Sequence, residues 1–328
     1  MRGTDRRGFL RGLGQGALLA GLGASAGQAA DTPPAQVDRH LLGSTGREVS
    51  IYGLGLGSVF CGAFKDDPAG ASALLERAVT VHGINYWDSA DDYSAKNKAG
   101  ETVFSEALVA GALPKVREKV FMVSKTNARS YDGFLKSVER SLKKLGTDYL
   151  DCYHLHCLTP RDKLDTLETG AVKAARELKE QKVLRHWGMT THLGAKLLLD
   201  AAKRFDPDIV MCPYPAGRPD PVAEDQLLPY LVEKKIGPAA IKPLRGARGS
   251  DLKGTDLVRY SLSLPGMGVV MVGADTIGHV DELAKLATGF KPMPADERRA
   301  VSDTVRLALS FEQQTPWLRP GYIDGRIA

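Results

Sequence analysis

The stretch Trp87-Asp88-Ser89-Ala90-Asp91-Asp92-Tyr93 decides the fold, because it ends a short apolar run with ionisable side chains. The run before it, residues 83–87, predicts a buried strand. Two further apolar runs end in the same way, one at Lys125 and one at His156. In a parallel barrel the carboxyl ends of the strands open on one face, where the chemistry takes place. We therefore predict one site, formed by Asp88, Tyr93, Lys125 and His156.

Composition places the chain among ordinary soluble globular proteins. It has 328 residues, of which 25% are charged and 43% hydrophobic, enough for one large barrel or two smaller domains. The net charge is +5, and four arginines and one aspartate in the first 11 residues supply +3 of it. The remaining charge is too small to indicate a nucleic-acid partner. The other basic residues alternate with acids on helix faces, which predicts a solvated surface.

The amino terminus has the pattern of a twin-arginine signal peptide over residues 1–30. Arg6 and Arg7 precede a weakly apolar run at 12–23 and small residues at 24–26. The run is too short and glycine-rich to form a stable membrane span, and a disordered basic tail is the alternative. We expect recognition by the twin-arginine export machinery, cleavage after Ala26 or Ala30, and a periplasmic location. Residues 31–328 then form a single domain.

The four cysteines do not indicate a disulfide framework, because at least two fall inside predicted strands. Cys152, His154 and His156 alternate along one strand and are expected to point the same way. Such a set in a barrel interior could bind zinc. The preferred interpretation is a small apolar cysteine and a hydrogen-bonded histidine in the core, so no metal is assigned.

Strand patterns alternate with helical patterns along the rest of the chain. Residues 41–50 predict an N-terminal β-hairpin around a glycine-rich turn, and residues 213–221, with four prolines, predict a loop. Helical stripes of period 3.6 separate the strands; one of them comprises Val103, Phe104, Ala107 and Leu108. The predicted strands lie near 52–57, 84–88, 119–124, 149–155, 184–188, 208–212, 238–242 and 268–272.

Eight strand–helix units in about 250 residues predict the α/β class and a (β/α)8 TIM barrel. An open doubly wound sheet is the alternative. Such a sheet usually carries a Gly-x-Gly-x-x-Gly turn that opens a helix. Residues 53–57, Gly-Leu-Gly-Leu-Gly, lack the third glycine at the required place.

The four site residues together can polarise a carbonyl group and protonate it. Tyr93 can donate a proton at neutral pH. The ammonium of Lys125 would lower the pKa of Tyr93, and Asp88 would hold Lys125 by a charge-assisted hydrogen bond. The imidazole of His156 could hydrogen-bond the carbonyl oxygen. The set contains no hydride source, so the chemistry requires a cofactor.

The sequence resembles the aldo-keto reductases over nearly all of the mature chain, from Arg39 to Thr288. Residues 88–93 match the family's Asp-Thr-Ala-x-x-Tyr motif, and 124–126 match its lysine motif. Residues 141–151 are similar to its most recognisable run, which leads to His156 as the fourth site residue. Residues 187–192 resemble the fifth strand and its amide-binding turn, and Gly100-Glu101 resembles the start of the next helix.

The resemblance implies an NAD(P)(H)-dependent oxidoreductase that reduces an aldehyde or ketone to an alcohol, or the reverse, with Tyr93 as general acid or base. NADP(H) is favoured and NAD(H) is the other candidate. Thr190-Thr191 stand where the family has Ser-Asn, Met211 replaces a glutamine, and only His279 lies near the usual phosphate-binding arginine. The implied cofactor-binding residues are Gly57, Ser58, Thr190, Thr191, Met211, Lys242, Pro243, Leu244, Gly273, Ala274 and His279.

Two other functions stay open at this stage. Several residues that usually contact the cofactor in the family are replaced in this sequence. The second hypothesis is therefore a catalytically weak barrel that binds a cofactor or ligand in the periplasm. Metal-assisted hydrolysis through the Cys152 strand is the third hypothesis. The expected partners are a small-molecule carbonyl or alcohol substrate and, because the periplasm is not expected to supply nicotinamide, a redox partner. Phe60, Trp87, Cys157 and Trp317 are the candidate walls of the substrate pocket.

Overall fold

Eight parallel strands close into a barrel in the computed structural model, which describes residues 36–192, 194–245 and 250–315. The predicted signal peptide and Trp317 lie outside the described residues. The strands described are β1 (Arg39–Leu41), β2 (Glu48–Ser50), β3 (Tyr52–Gly55), β4 (Tyr86–Asp88), β5 (Ser94–Lys96), β6 (Thr102–Phe104), β7 (Phe121–Thr126), β8 (Leu150–Leu155), β9 (Leu184–Thr190), β10 (Ile209–Pro213), β11 (Gly237–Ile241) and β12 (Val269–Gly273).

The helices lie between the barrel strands and after the last of them. Two π-helical turns, Glu168–Val172 and Ala223–Leu227, precede α7 and α9, and a 3₁₀ turn covers Arg117–Lys119. The described α-helices are α1 (Ser58–Phe64), α2 (Pro68–Thr80), α3 (Ser105–Val109), α4 (Leu113–Val116), α5 (Tyr131–Leu145), α6 (Leu164–Leu167), α7 (Lys173–Glu180), α8 (Ala195–Phe205), α9 (Leu228–Glu233), α10 (Gly254–Leu262), α11 (Ile277–Ala287), α12 (Ala295–Ala308) and α13 (Phe311–Gln314).

The barrel order follows the chain: β3, β4, β7, β8, β9, β10, β11 and β12, with β12 pairing back onto β3. Every one of these pairings is parallel. The predicted (β/α)8 barrel is confirmed, the doubly wound alternative is wrong, and each of the eight predicted strands overlaps an observed one. The antiparallel pair β1–β2 is the predicted N-terminal hairpin.

The segment between β4 and β7 differs from the prediction. Val103 and Phe104 belong to β6, which pairs with β5 in a small antiparallel hairpin, and the following helix begins at Ser105. The expected helix start at Gly100-Glu101 is therefore wrong. Over so few residues, an apolar pair fits the periodicity of a helix and that of a strand equally well. The sequence pattern therefore could not distinguish a helix from a strand here.

Side chains alternate between the two surfaces of the barrel wall, as strand geometry requires. Outward residues such as Trp87 and Tyr153 pack under the helices in the larger apolar cluster. Inward residues at the amino-terminal end form a second cluster, in which Tyr86 and Phe121 stack at 5.3 Å between ring centroids. Leu42 and Val49 of the hairpin segment complete that cluster and close the barrel floor. The polar site is thus confined to the carboxyl-terminal end.

Local signals explain where the longest barrel helix begins and ends. The hydroxyl of Ser130 accepts a hydrogen bond from the backbone N–H of Gly133, which caps the amino end of α5. Gly146, with φ +66°, adopts the left-handed conformation that ends it. Among the described residues we find no helix with the length and hydropathy that a membrane-spanning segment requires.

Candidate active site

Lys125 and Asp88 form a buried ion pair inside the carboxyl-terminal end of the barrel. The Nζ of Lys125 donates to Asp88 Oδ2 at 2.8 Å and to the carbonyl oxygen of Ser89 at 2.6 Å. Lys125 is 1% exposed and Asp88 4%. A buried ammonium is tolerated only when paired and hydrogen-bonded, so the pair holds Lys125 in one place at the end of β7.

Tyr93 lies on the segment that follows β4, beside this pair. The Lys125 Nζ is 4.9 Å from the centre of the Tyr93 ring. The segment is fixed to β7 by the N–H of Asp91, which donates to the Lys125 carbonyl at 3.0 Å. It is fixed to α3 by the N–H of Ser105, which donates to the Tyr93 carbonyl at 2.9 Å. Backbone bonds at both ends therefore hold the tyrosine over the lysine.

His156 approaches the tyrosine from the end of β8. Its N–H donates to the Thr126 carbonyl at 2.9 Å, which continues the β7–β8 pairing by one residue. The His156 ring meets the Tyr93 ring edge-on at 5.6 Å between centroids. The structure thus brings together all four residues that the sequence predicts as catalytic, and each is at most 6% exposed.

A second histidine, His192, extends this group and was not predicted as a site residue. Its ring meets the His156 ring edge-on at 5.8 Å. His192 follows β9 and is 7% exposed. The sequence carried a signal for it, because Gly188, Thr190 and His192 alternate along β9 and its extension in the same way as the recognised strand-end residues.

His154 does not join the site, although it is only two residues from His156. Its Nε2 lies 3.7 Å from the Cys152 sulfur, and it packs so closely on Gly188 that a Cβ there would be 2.5 Å from its Nδ1. Complete burial, together with the Lys125 ammonium, holds the pKa of His154 well below its usual value. A neutral core histidine is the interpretation that this packing supports.

The predicted zinc alternative finds no support in the geometry. Within residues 36–192, 194–245 and 250–315, no group of three or more histidine, cysteine, aspartate or glutamate side chains is arranged to hold a metal ion.

Comparison with known proteins agrees with this arrangement. The Aldo/keto reductase family model matches residues 53–257, which is more than half of the chain. The chain belongs to the aldo/keto reductase family. The match contains all four clustered residues.

The curated relatives of the chain include proteins named as an oxidoreductase and as a dehydrogenase. The uncharacterized oxidoreductase YqkF of Bacillus subtilis (strain 168) is 28% identical over 215 residues, 62% of this chain and 63% of the relative. L-galactose dehydrogenase of Arabidopsis thaliana is 30% identical over 224 residues, 64% of this chain and 66% of the relative. The chain therefore matches just under two thirds of the length of these relatives.

Solved structures show the same fold. The holo form of aldo-keto reductase AKR11C1 from Bacillus halodurans has a TM-score of 0.67 at 22% identity, covering 85% of this chain and 100% of that chain. An aldo/keto reductase from Klebsiella pneumoniae, in complex with NADP and acetate, has a TM-score of 0.65 at 21% identity, covering 83% of this chain and 96% of that chain.

The glycines expected to bind cofactor line the ends of two neighbouring strands, β3 and β12. Gly273 pairs with Gly55, and the N–H of Ala274 donates to the Gly55 carbonyl at 3.2 Å. Gly57, which precedes Ser58 at the start of α1, leaves open a position that a Cβ would occupy 3.4 Å from the Tyr93 ring. The structure therefore places Gly57 beside the tyrosine, whereas a Cβ at Gly273 would meet the Val59 side chain at 2.9 Å.

Thr190 and Thr191 lie at the end of β9, but their hydroxyls already bond to the chain. Thr190 Oγ1 accepts from the N–H of Cys157 at 2.7 Å, and Thr191 Oγ1 donates to the Leu158 carbonyl at 2.8 Å. Both bonds fix the loop that follows His156. Met211 on β10 is fully buried in the cluster at the barrel floor, whereas Gly57 and Gly273 are partly exposed.

The remaining predicted cofactor residues follow β11 and β12. Lys242 has φ +59°, Pro243 is buried and Leu244 is 42% exposed. His279, near the start of α11, is exposed, and its Nδ1 lies 2.6 Å from Asp275 Oδ1. The hydrogen bond to the Asp275 carboxylate raises the pKa of His279, and that carboxylate occupies the Nδ1 of the ring.

Two of the expected pocket walls are wrong. Trp87 and Phe60 are both fully buried in the apolar layer between the barrel and the helices. Adjacent residues on a strand face opposite sides, so Trp87 points away from the site whenever Asp88 points into it. Cys157 is half-buried next to His156, with φ +52°.

Proposed function

We propose that the protein is an NAD(P)(H)-dependent oxidoreductase that reduces the carbonyl of an aldehyde or ketone to an alcohol, or catalyses the reverse. The observation that carries this proposal is the buried contact of Tyr93 with Lys125, which Asp88 holds in place. A phenol beside a fixed ammonium suits proton donation to an oxygen atom. The names of the relatives support the same class of reaction.

Tyr93 is the general acid in reduction and the general base in oxidation. The Lys125 ammonium, 4.9 Å from the ring, stabilises the tyrosinate that remains after proton transfer. Asp88 does not contact the reacting oxygen in this scheme; it holds the ammonium by a 2.8 Å bond. Burial strengthens both interactions, because the surroundings screen charge less than water does.

His156 orients the substrate. Its edge-on contact with Tyr93 places the imidazole and the phenol on the same side of the site. A carbonyl oxygen that accepts the Tyr93 proton can then also accept a hydrogen bond from His156. Two donors aimed at one oxygen stabilise the negative charge that develops on it.

The cofactor is a nicotinamide dinucleotide, with NADP(H) favoured and NAD(H) as the alternative. The clustered side chains supply acid, base and hydrogen bonds but no hydride, and the nicotinamide supplies the hydride when bound. Gly57, Ser58, Gly273 and Ala274 would hold it, since they follow the neighbouring strands β3 and β12 and Gly57 places no side chain against the Tyr93 ring. The Klebsiella pneumoniae structure, which shares the fold, is described as a complex with NADP.

Discrimination between the two dinucleotides is expected to be weak. His279 lies near the start of α11, and Asp275 both hydrogen-bonds to it and adds a negative charge. A 2′-phosphate binding there would meet that carboxylate. We expect less than ~100-fold preference for NADPH over NADH, about 2.7 kcal/mol. Fluorescence titration with both dinucleotides measures it, and a larger preference would show that the phosphate contacts lie elsewhere.

We further propose export to the periplasm through the twin-arginine machinery, on the pattern of residues 1–30. That route carries folded proteins, so the dinucleotide would leave the cytoplasm already bound. It would then require slow release or a redox partner that regenerates it. Mass spectrometry of protein from the envelope fraction tests whether the amino terminus has been cleaved and whether a dinucleotide is bound. An intact amino terminus on all of the protein would contradict the export proposal.

A barrel that binds cofactor or ligand with little turnover is the second candidate. It is favoured by Thr190 and Thr191, whose hydroxyls already bond to the loop after β8. Tight dinucleotide binding without turnover of any carbonyl would support it.

The deciding experiment is turnover by the Tyr93→Phe variant. Purified protein lacking residues 1–30 is assayed for oxidation of NADPH and NADH with a panel of aldehydes and ketones. Loss of a positioned general acid is expected to lower kcat about 10²–10⁴-fold. Tyr149→Phe is the matched control, because Tyr149 lies at the opposite end of β8 and is partly exposed. Undiminished turnover in Tyr93→Phe would remove Tyr93 from the proposed role.

A further inference from the structure

A buried polar layer lies directly behind the site, between the outer surface of β7 and the helices α3 and α5. Ser124 and Thr126 flank Lys125 on β7 and face outward, because alternate residues face opposite sides. Ser124 Oγ donates to Glu106 Oε1 at 2.7 Å. The backbone N–H of Asp91 donates to the carbonyl oxygen of Lys125 at 3.0 Å. Asp91 belongs to the segment that carries Tyr93, and Glu106 belongs to the helix α3 that follows it. The two acidic residues therefore fix this part of the chain to β7 at Lys125 and at Ser124.

Lys144 on α5 joins the two acidic residues. Its Nζ donates to the carbonyl oxygen of Asp91 at 2.9 Å and lies 3.5 Å from Glu106 Oε2. The same ammonium lies 4.0 Å from the centre of the Phe104 ring. Glu106 is fully buried and Lys144 is half-buried. One cation therefore connects the Tyr93 segment, the helix after it and the helix after β7.

Ionisable groups face this layer from every element packed against it. Burial raises the pKa of Glu106 and of Asp91, and the hydroxyls of Ser124 and Ser141 and the Lys144 ammonium oppose the increase for Glu106. Arg140 Nη2 lies 3.6 Å from Asp91 Oδ2, and the Tyr153 hydroxyl is 3.0 Å from Ser141 Oγ. Burying a carboxylate has a cost in desolvation free energy. Apolar side chains would pack these elements together without that cost, so the polar layer indicates a role beyond packing.

We infer that Glu106, Asp91 and Lys144 form a clamp that positions Tyr93 relative to Lys125 for proton transfer. The clamp touches neither substrate nor cofactor. It acts through the segment of Tyr93 on one side and through β7 on the other. The inference rests on the proposed acid–base role of Tyr93. Its consequence is that residues behind the barrel wall set how strongly Lys125 stabilises the tyrosinate.

Loosening the clamp would increase the distance between the Tyr93 ring and the Lys125 ammonium. The attraction between two charges falls with their separation, so the tyrosinate would lose stabilisation and the phenol would ionise at higher pH. We expect Lys144→Met to lower kcat about tenfold with KM within twofold of the parent, and to raise the pH at which Tyr93 ionises by about one unit. Lys144→Arg keeps the charge and should restore most of the activity.

Glu106→Leu separates positioning from a direct effect of charge. Removing a nearby negative charge would by itself make Tyr93 ionise at lower pH. Loss of the clamp predicts the opposite direction, the same as for Lys144→Met. Lys143→Met is the matched control, because Lys143 is the adjacent, exposed residue of α5; it should leave kcat and the pH profile unchanged.

The experiment measures pH–rate profiles and, independently of turnover, the ionisation of Tyr93. Ultraviolet titration near the tyrosinate band is recorded for each variant with and without Tyr93→Phe, and the difference isolates Tyr93. Upward shifts in both Lys144→Met and Glu106→Leu support the clamp. Shifts in opposite directions, or reduced thermal stability with an unchanged profile and unchanged titration, overturn it. If the parent protein reduces no carbonyl, the proposed function fails, and the titration still decides the clamp.

Discussion

The buried pair of Asp88 and Lys125 can be tested through the free energy of unfolding. The two groups are 2.8 Å apart and almost completely buried. At an effective dielectric constant of about 20, unit charges at that distance attract by about 6 kcal/mol. Desolvation of both ions offsets much of this attraction, so replacing the pair costs less than breaking it.

We expect Lys125→Met to destabilise the protein by about 3–5 kcal/mol, because it leaves the Asp88 carboxylate buried without its cation. Asp88→Asn should cost somewhat less, since the amide oxygen can still accept from Lys125. The double variant should be more stable than the sum of the single effects implies, with a coupling of about 2–3 kcal/mol.

Urea unfolding followed by tryptophan fluorescence measures the three variants and the parent at one pH and salt concentration. Raising the salt concentration should change the coupling little, because buried charges are poorly screened. A coupling below about 0.5 kcal/mol would show that Asp88 does not hold Lys125. The positioning role proposed for Asp88 would then be wrong.

Two further predictions concern pH dependence and packing. Burial raises the pKa of Glu224 from 4.5 to about 7, so the folded state binds more protons than the unfolded state between these values. The free energy of unfolding should therefore fall by about 2–3 kcal/mol as the pH rises from 5 to 8. Measured by urea unfolding, this fall should be smaller in Glu224→Gln than in the control variant Glu233→Gln, which changes an exposed residue. Equal falls in the two variants would contradict the prediction. Gly188→Ala should strongly lower the midpoint temperature of thermal unfolding, because the alanine Cβ would lie 2.3 Å from the Ile209 carbonyl oxygen. An unchanged midpoint would show that β9 and β10 can move apart to accommodate the methyl group.

The barrel and its four-residue site could be predicted because both depend on local periodicity. Apolar runs of strand length, separated by helical stripes, define eight units, and an ionisable residue at the end of a run must lie on the carboxyl-terminal face. The segment after Tyr93 was less predictable, because Val103 and Phe104 suit a helix or a strand until the partner strand is known.

The different surroundings of His154 and His156 depended on register between strands. Alternation places His154 and His156 on the same side of the strand. The structure pairs His154 with Lys125 along β7, where it is enclosed against Gly188, and leaves His156 beside Tyr93. A sequence contains the alternation but not the depth of each residue in the barrel.

The sequence by itself determined the fold, the family and four of the clustered residues, because these follow from patterns within one strand or helix and from short motifs. Only the tertiary structure decided what surrounds them. Lys144, which the charge pattern assigned to a solvated helix face, is half-buried against Glu106, 38 positions earlier in the chain. The reason is physical, because burial and ion pairing depend on how the elements pack together. The local periodicity of the sequence does not specify which distant side chain will pair with a buried charge.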